Sequence, residues 1–539
     1  ALSAHAGFNV GLGIGDCTSG VAEVNLMGYA NPAQTSAGLL DRLYARTYIV
    51  QDSDTSVMTC FVTVDFGMSS QMVKDKVVAA VAGKFNGTLT DKNIMISGTH
   101  THSSAAGFLQ YVLFQVTSLG SVPEVTDAVV AGIVDSISMA YDNLQPGQIK
   151  WSWGEVHDAN INRSPTSYLA NPAAERAMYD ANTDLNMTLL RFEDAKGNPV
   201  GMLNHFAVHG TSINNTNSMI SSDNRGFASQ HFELAHSPAG TLPGQNKFVA
   251  AFASSNLGDV SPNTEGPHCL DTGLPCDVPH STCNGKNELC VASGPGKDMY
   301  ESAMIIGQRQ LDVAMDLFSK ATTPLSGSVD YIHTYVDMTN FTVTLPDGST
   351  AHTCKPAMGY AFAAGTTDGP GAFNFEQGTN TSNPFWNAIR NLIAKPTQAE
   401  VDCQKPKPIL LPTGETDVPY AWDPSIVPFT IQRWGNYFLL GVPMELTTMA
   451  GRRLRSAVRT TVIANGASDD AVVIIAGLSN TYSSYCTTYE EFQVQRYEGA
   501  STVFGPHQLQ AVIENFEVWL VKGFLPRKCS PPPPPPPPP

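Results

Sequence analysis

Apolar and polar positions follow two periods that take turns along the chain. Apolar runs at 58–66, 93–97, 184–192, 199–208, 247–253, 437–442 and 471–476 read as strands, the first as a buried one. Helical patterns fall between them. One covers 69–85, with a serine near its start, and a second covers 126–143. A long amphipathic helix is predicted over 299–321, another up to about 462, and a closing helix over 506–522. Such alternation argues for an α/β domain with a large mixed sheet covered by helices. Two stretches break the pattern. Residues 263–297 are rich in Gly, Pro, Asn, Asp and Thr and hold four evenly spaced cysteines. Residues from 322 to about 432 are irregular, with strand signals at 329–336 and 341–345. They read as a β-containing insertion, with a Cys354–Cys403 bridge as its candidate pin.

The globular part runs over 1–525. After it come Pro526-Arg527-Lys528-Cys529, Ser530 and nine prolines, 531–539. A proline run adopts a polyproline II rod of about 3.1 Å per residue and has no core, so 526–539 is a spacer, tether or recognition tail. No internal repeat is apparent.

Composition narrows the function. The 539 residues carry a formal charge of −17, which disfavours nucleic acid and gives no general attraction to anionic membranes. Contact with a lipid surface would need a local apolar patch. No run of eighteen apolar residues exists to span a bilayer. Residues 1–7 lack the basic start and apolar centre of a signal peptide, and the chain reads as a processed mature form. Of its ten cysteines, Cys269, Cys276, Cys283 and Cys290 stand seven apart. Zinc knuckles use tighter pairs, so disulfides and an oxidising compartment are the better reading. Sequons at Asn86, Asn186, Asn214, Asn340 and Asn380 agree with a secreted, glycosylated protein. A further sequon starts at Asn162.

Several polar clusters sit where strands end. Thr99-His100-Thr101-His102 follows the 93–97 strand; histidines at i and i+2 on extended chain face one side, as a metal ligand and a second polar group would. The bland alternative is a polar surface loop. His209 ends a second apolar strand, where it could equally be a hydrogen-bonded rim residue. Glu445 follows a third, where a helix dipole would favour an acid with no metal nearby. Together the three are more telling. The carboxyl edge of strands is where α/β sites form, and two histidines with a carboxylate are the ligand set of many hydrolytic zinc sites that keep a position open for water. Three further clusters are ambiguous on residues alone. The 254–263 segment with Ser261 is either a functional turn or a plain one. The 160–165 loop with Arg163 reads equally as a solvated loop, and the tyrosine-rich 482–497 stretch as aromatic packing.

The residues carry a resemblance that resolves these clusters. From Gly11 to about Gln508 the chain resembles neutral ceramidases. The matching motifs begin with Gly15-Asp16-Cys17-Thr18, Val24-Asn25-Leu26-Met27-Gly28-Tyr29 and Arg42-Leu43-Tyr44-Ala45-Arg46. They continue with GTHTHS at 98–103, NINRSP at 160–165, FVAAFASSNLGDVSPN at 248–263, AGRRLR at 450–455 and TTYEEFQVQRYEGAST at 487–502. The resemblance implies a catalytic domain that binds zinc through His100, His209, Glu445 and Tyr485. It places His102, Arg163 and Tyr497 around the scissile amide, and makes Ser261 the essential serine often called the nucleophile. It also implies Cys269–Cys283 and Cys276–Cys290 disulfides. The implied reaction is hydrolysis of ceramide to a sphingoid base and a fatty acid.

Two versions of that chemistry are open. In one, a zinc-activated water attacks and His102 moves the proton to the leaving amine; in the other, Ser261 attacks and forms an acyl-enzyme. The first is preferred, because a serine nucleophile needs an adjacent base. The family continues into a C-terminal immunoglobulin-like domain, where this chain has its proline tract. That tract resembles the hydroxyproline-rich glycoproteins of plant and algal extracellular matrices. The alternative reading is therefore a matrix or filament glycoprotein that reuses the domain structurally, with cell-wall or filament partners through the tail. A third is an amidase acting on another N-acyl compound. The expected partners are ceramide or a related N-acyl sphingoid lipid, with peripheral membrane contact, and the expected location is extracellular.

Overall fold

The computed structural model describes residues 7–523; the proline tail and Cys529 lie outside them. Two sheets form its centre. The larger runs in the order Val249–Ser254, Pro199–Phe206, Asn186–Asp194, Gln145–Glu155, Phe8–Asp16, Tyr44–Asp52, Met58–Val64, Ile94–Gly98, with Thr323–Pro324 added against Gln145–Glu155. Its two outermost pairs are parallel and the rest antiparallel, so the sheet is mixed as expected. The smaller sheet runs Val329–Asp337, Ile426–Trp434, Tyr437–Gly441, Val472–Ala476.

Strand alternation explains the layering. Phe8, Val10 and Leu12 point inward and meet Trp434, Tyr437 and Leu439 of the smaller sheet in one sheet-on-sheet core. The opposite face of the larger sheet is covered by helices Gln71–Val81 and Pro123–Asp142 over one half, and Asp223–Ala235 and Met299–Lys320 over the other. Thr448–Ala464 and Gln508–Gly523 cover the outer face of the smaller sheet. The result is helix, sheet, sheet, helix.

The first strand was hidden in the sequence by glycine. A Cβ on Gly11, Gly13 or Gly15 would lie 2.1, 2.2 or 2.0 Å from the carbonyl oxygen of Ala140, Ser136 or Gly132. Only a bare backbone lets Pro123–Asp142 lie this close to the strand. Tyr44–Asp52, Gln145–Glu155 and Ile426–Trp434 were also missed. Tyr44–Asp52 carries Arg46, fully buried and paired with Asp65 and Glu233, which breaks the apolar pattern.

The larger sheet curls until its two edge strands nearly meet. Ser254 at the end of one edge donates to the Gly98 carbonyl at the end of the other, at 2.8 Å. This closure matters for function, because the loop after Gly98 then bridges to the loop after Phe206: Thr101 pairs with Gly210. The 322–432 segment starts with Thr323–Pro324 of the larger sheet, contributes Val329–Asp337 and the start of Ile426–Trp434 to the smaller one, and carries short hairpins and helices between them beside the cavity described below. Disulfides join Cys269–Cys283, Cys276–Cys290 and Cys354–Cys403, with Cα–Cα separations of 5.7, 5.8 and 5.8 Å. Cys17, Cys60 and Cys486 are buried free thiols.

Candidate active site

His100 lies two residues past Ile94–Gly98, with its backbone in the left-handed region at φ 72°. Its Nδ1 lies 2.5 Å from the Gly67 carbonyl. His209 lies three residues past Pro199–Phe206, and its Nδ1 is 2.9 Å from the Val260 carbonyl. A carbonyl only accepts, so both rings carry a proton on Nδ1 and turn Nε2 inward. Glu445 faces them. Its Oε1 is 3.4 Å from His100 Nε2 and its Oε2 is 3.0 Å from His209 Nε2.

This contact is unsatisfied as it stands. Neither His209 Nε2 nor Glu445 Oε2 makes a hydrogen bond, though both are fully buried. Burial, with Arg163 nearby, pushes His209 down to about 4 despite the opposing pull of Glu445, so the ring is neutral. Burial alone would raise Glu445, and only positive charge at the two histidines would hold the carboxyl well below its usual range. A lone pair thus faces a carboxylate across 3.0 Å, an arrangement that a cation between them would stabilise. Ligand atoms about 2.0–2.1 Å from a tetrahedral zinc lie about 3.3–3.4 Å from one another, close to the separations found here. The residues fit a divalent metal.

His102 completes a histidine trio able to hold a metal. Its Nε2 is 3.3 Å from His100 Nε2, its Nδ1 has no partner, and its ring stands edge-on to Tyr29 at 4.6 Å. Burial, followed by the neighbouring His100 and His209, pushes it well below 6.5. Gly28 makes room for it: a Cβ there would fall 2.3 Å from His102 Cγ. Tyr482 donates to Glu445 Oε1 at 2.6 Å, and burial together with that carboxylate keeps the phenol protonated.

Arg163 ties the other side together. Its Nε donates to Glu498 at 2.9 Å, Nη1 to Asp368 at 3.2 Å, and Nη2 to the Gly258 carbonyl at 2.8 Å and the Tyr485 hydroxyl at 3.1 Å. A guanidinium has five N–H donors, so one Nη1 proton is left over. The Tyr485 and Tyr497 rings stand edge-on at 5.3 Å, and the Arg163 guanidinium lies 5.9 and 5.8 Å from their centroids.

These side chains line one cavity of about 460 Å³, with His100, His102, Arg163, Glu445, Tyr485 and Tyr497 on its polar part and Phe362, Phe373 and Phe375 on its apolar wall. A small adjoining chamber of about 70 Å³ is lined by Met27, Met68, Leu113, Phe114, Met358 and Phe362 together with hydroxyl-bearing residues such as Thr117, Ser484 and Tyr485.

A sequence profile of the neutral/alkaline non-lysosomal ceramidase family, N-terminal part, matches residues 8–514. The chain belongs to that family. It is 50% identical to neutral ceramidase B of Dictyostelium discoideum, over 95% of this chain and 72% of that protein. It is 46% identical to neutral ceramidase 1 of Arabidopsis thaliana, over 95% and 75%. Among solved structures, a ceramidase complexed with C2 superposes with TM-score 0.82 at 35% identity, covering 96% of this chain and 76% of that one. Neutral ceramidase from Pseudomonas aeruginosa superposes with TM-score 0.80 at 34% identity, covering 96% and 74%. None of these relatives is a matrix or filament protein, and that alternative gains no support.

In this family member, six of the eight residues singled out from sequence line the cavity: His100, His102, Arg163, Glu445, Tyr485 and Tyr497. His209 and Ser261 each touch a lining residue, Glu445 and Asp368. Ser261 is fully buried behind the cavity wall, where its hydroxyl donates to Asp368 Oδ1 at 2.5 Å and accepts from the Asn263 amide at 3.0 Å. No histidine is among its partners. Asp368 and Tyr482 were not anticipated. Asp368 lies in the irregular 322–432 segment, where no periodicity marks it; Tyr482 opens the tyrosine-rich stretch, but nothing in the sequence distinguishes a hydroxyl that donates to Glu445 from aromatic packing there.

Proposed function

We propose that the protein hydrolyses the amide bond of ceramide, releasing a sphingoid base and a free fatty acid, with zinc held by His100, His209, Glu445 and Tyr485. The observation that carries the reading is the unpartnered His209 Nε2 facing Glu445 Oε2 across 3.0 Å in a buried cavity. When bound, zinc supplies Lewis acidity toward an amide carbonyl and brings the pKa of water near 7.

The chain's own residues supply the remainder. The Gly67 and Val260 carbonyls fix the tautomers of His100 and His209. His102, neutral and free at Nδ1, takes up the proton from the attacking water and returns it to the leaving amine. The spare Nη1 proton of Arg163 and the Tyr497 phenol bind the carbonyl oxygen or the lipid hydroxyls. Ser261 acts through Asp368, orienting Arg163, rather than as a nucleophile; its burial behind the cavity wall and its lack of a histidine partner support this. Phe362, Phe373 and Phe375 and the adjoining chamber keep water off the lipid chains.

We also place the protein in an oxidising, extracellular setting, which its three disulfides support. Among the described residues no helix is long and apolar enough to cross a membrane. The test is metal content and ceramide hydrolysis measured together on wild type and His209→Ala. Loss of both in the variant is expected. Stoichiometric zinc in a wild type that cleaves no N-acyl lipid would overturn the assignment.

A further inference from the structure

Large apolar side chains that a folded chain normally buries are instead exposed beside the cavity. Helix Pro384–Ile393 buries none of its residues. Trp386 holds its inner side against Phe373 and Phe375, which line the cavity, at 5.5 and 5.0 Å. Its outer side presents Phe385 and Leu392, seven positions apart and so on one face, with Leu392 86% exposed. Phe373 itself is 72% exposed and marks the cavity mouth. A second patch borders the adjoining chamber. Leu113 and Phe114 line that chamber, and the loop that follows carries Leu119, 93% exposed. Val418, also exposed, belongs to the segment on which this loop rests, through Val112 and Leu113 amide bonds to the Ala421 and Trp422 carbonyls.

The charge pattern is as selective as the exposure. The chain is −17 overall, yet 103–123 carries no charged residue. Between Glu376 and Glu400 the only charges are Arg390 and Lys395. Carboxylates, which zwitterionic and anionic lipid surfaces alike disfavour, are thus absent from these two stretches, the neighbours in sequence being Glu376 beside Phe375 and Asp417 beside Val418.

We propose that these two patches seat the cavity mouth on a lipid bilayer, so that a lipid passes from the membrane into the cavity without crossing water. The inference rests on the proposed lipid substrate, but the binding it predicts can be measured without turnover. The full chain is sedimented with phosphatidylcholine vesicles, beside Phe385→Ser/Leu392→Ser and, separately, Leu119→Ser; none of these residues lines the cavity. Each side chain fully withdrawn from lipid should weaken binding about tenfold. Wild-type binding should persist in high salt, since apolar contact is not screened.

Hydrolysis of a short-chain, water-soluble ceramide should stay within about twofold of wild type, which also shows that the variants fold, while hydrolysis of vesicle-embedded ceramide falls with binding. Unchanged vesicle binding in both variants would overturn the proposal. So would binding lost in high salt, or a change in oligomeric state without a change in vesicle binding, which would make the patches a self-contact. If wild type binds vesicles but cleaves neither substrate, the functional reading fails and the docking surface stands.

Discussion

Replacing Tyr482 by Phe removes the one oxygen atom that donates to Glu445, a proposed metal ligand, and leaves the ring contact with Phe114 in place. The lost bond is the 2.6 Å donation to Glu445 Oε1. Its acceptor is a buried carboxylate, so the bond is charge-assisted and worth about 1.5–3 kcal/mol. Without it Oε1 can turn away from the position that lets both carboxylate oxygens face the histidines. Zinc affinity should drop about 10–100-fold, the range for outer-shell ligand partners. The assay is competition for zinc against a chelator of known affinity, on wild type and Tyr482→Phe. Circular dichroism of the zinc-loaded forms checks that the fold is unchanged. Ceramide turnover at saturating zinc should fall less than affinity, because Tyr482 positions a ligand and is not proposed to touch the reacting amide. Zinc affinity within twofold of wild type would refute the argument that Tyr482 holds Glu445 in place.

Hydroxylamine trapping and mass spectrometry during turnover should find no acyl group on Ser261, and Asp368→Asn and Ser261→Ala should both depress turnover, since each loosens Arg163; an acyl-Ser261 adduct would restore the nucleophile reading. Gly13→Ala should cost about 2 kcal/mol or more in urea unfolding, because a Cβ 2.2 Å from the Ser136 carbonyl forces strand and helix apart; an unchanged midpoint would contradict the close packing. Burial would raise the Asp184 carboxyl, but Arg455 and Arg452 outweigh it and hold it below the ordinary range. Its folded pKa lies below its unfolded one, so its stabilisation is present above about pH 4 and is lost as pH falls further. Asp184→Asn should therefore flatten the acid limb of a stability–pH curve; an identical limb would show that the pair contributes nothing.

How far the molecule could be read from its sequence depended on what kind of pattern each residue belonged to. Strands such as Met58–Val64 and helices such as Met299–Lys320 show an uninterrupted period, and their limits were found within a few residues. Phe8–Asp16 was invisible because Gly11, Gly13 and Gly15 take its alternate positions, and the reason for those glycines lies on a helix more than a hundred residues away. His100, His209 and Glu445 could be grouped from sequence because each ends a strand. What the strands could not show is why the three meet, since that depends on the larger sheet curling until Ser254 reaches Gly98. Tyr485 could not be chosen from residues alone; family likeness brought it in. Asp368 carries no signal in one dimension, since its meaning comes from Arg163 and Ser261, both more than a hundred positions distant.

The central claim is one metal ion shared by side chains drawn from across the chain. Anomalous diffraction at the zinc edge, on crystals of the protein purified without added chelator, tests it most directly. A single strong peak is expected about 2.0–2.1 Å from His100 Nε2, His209 Nε2 and a Glu445 oxygen, abolished in His209→Ala. A fully occupied site elsewhere, or zinc-free crystals of an enzyme that still cleaves ceramide, would contradict it.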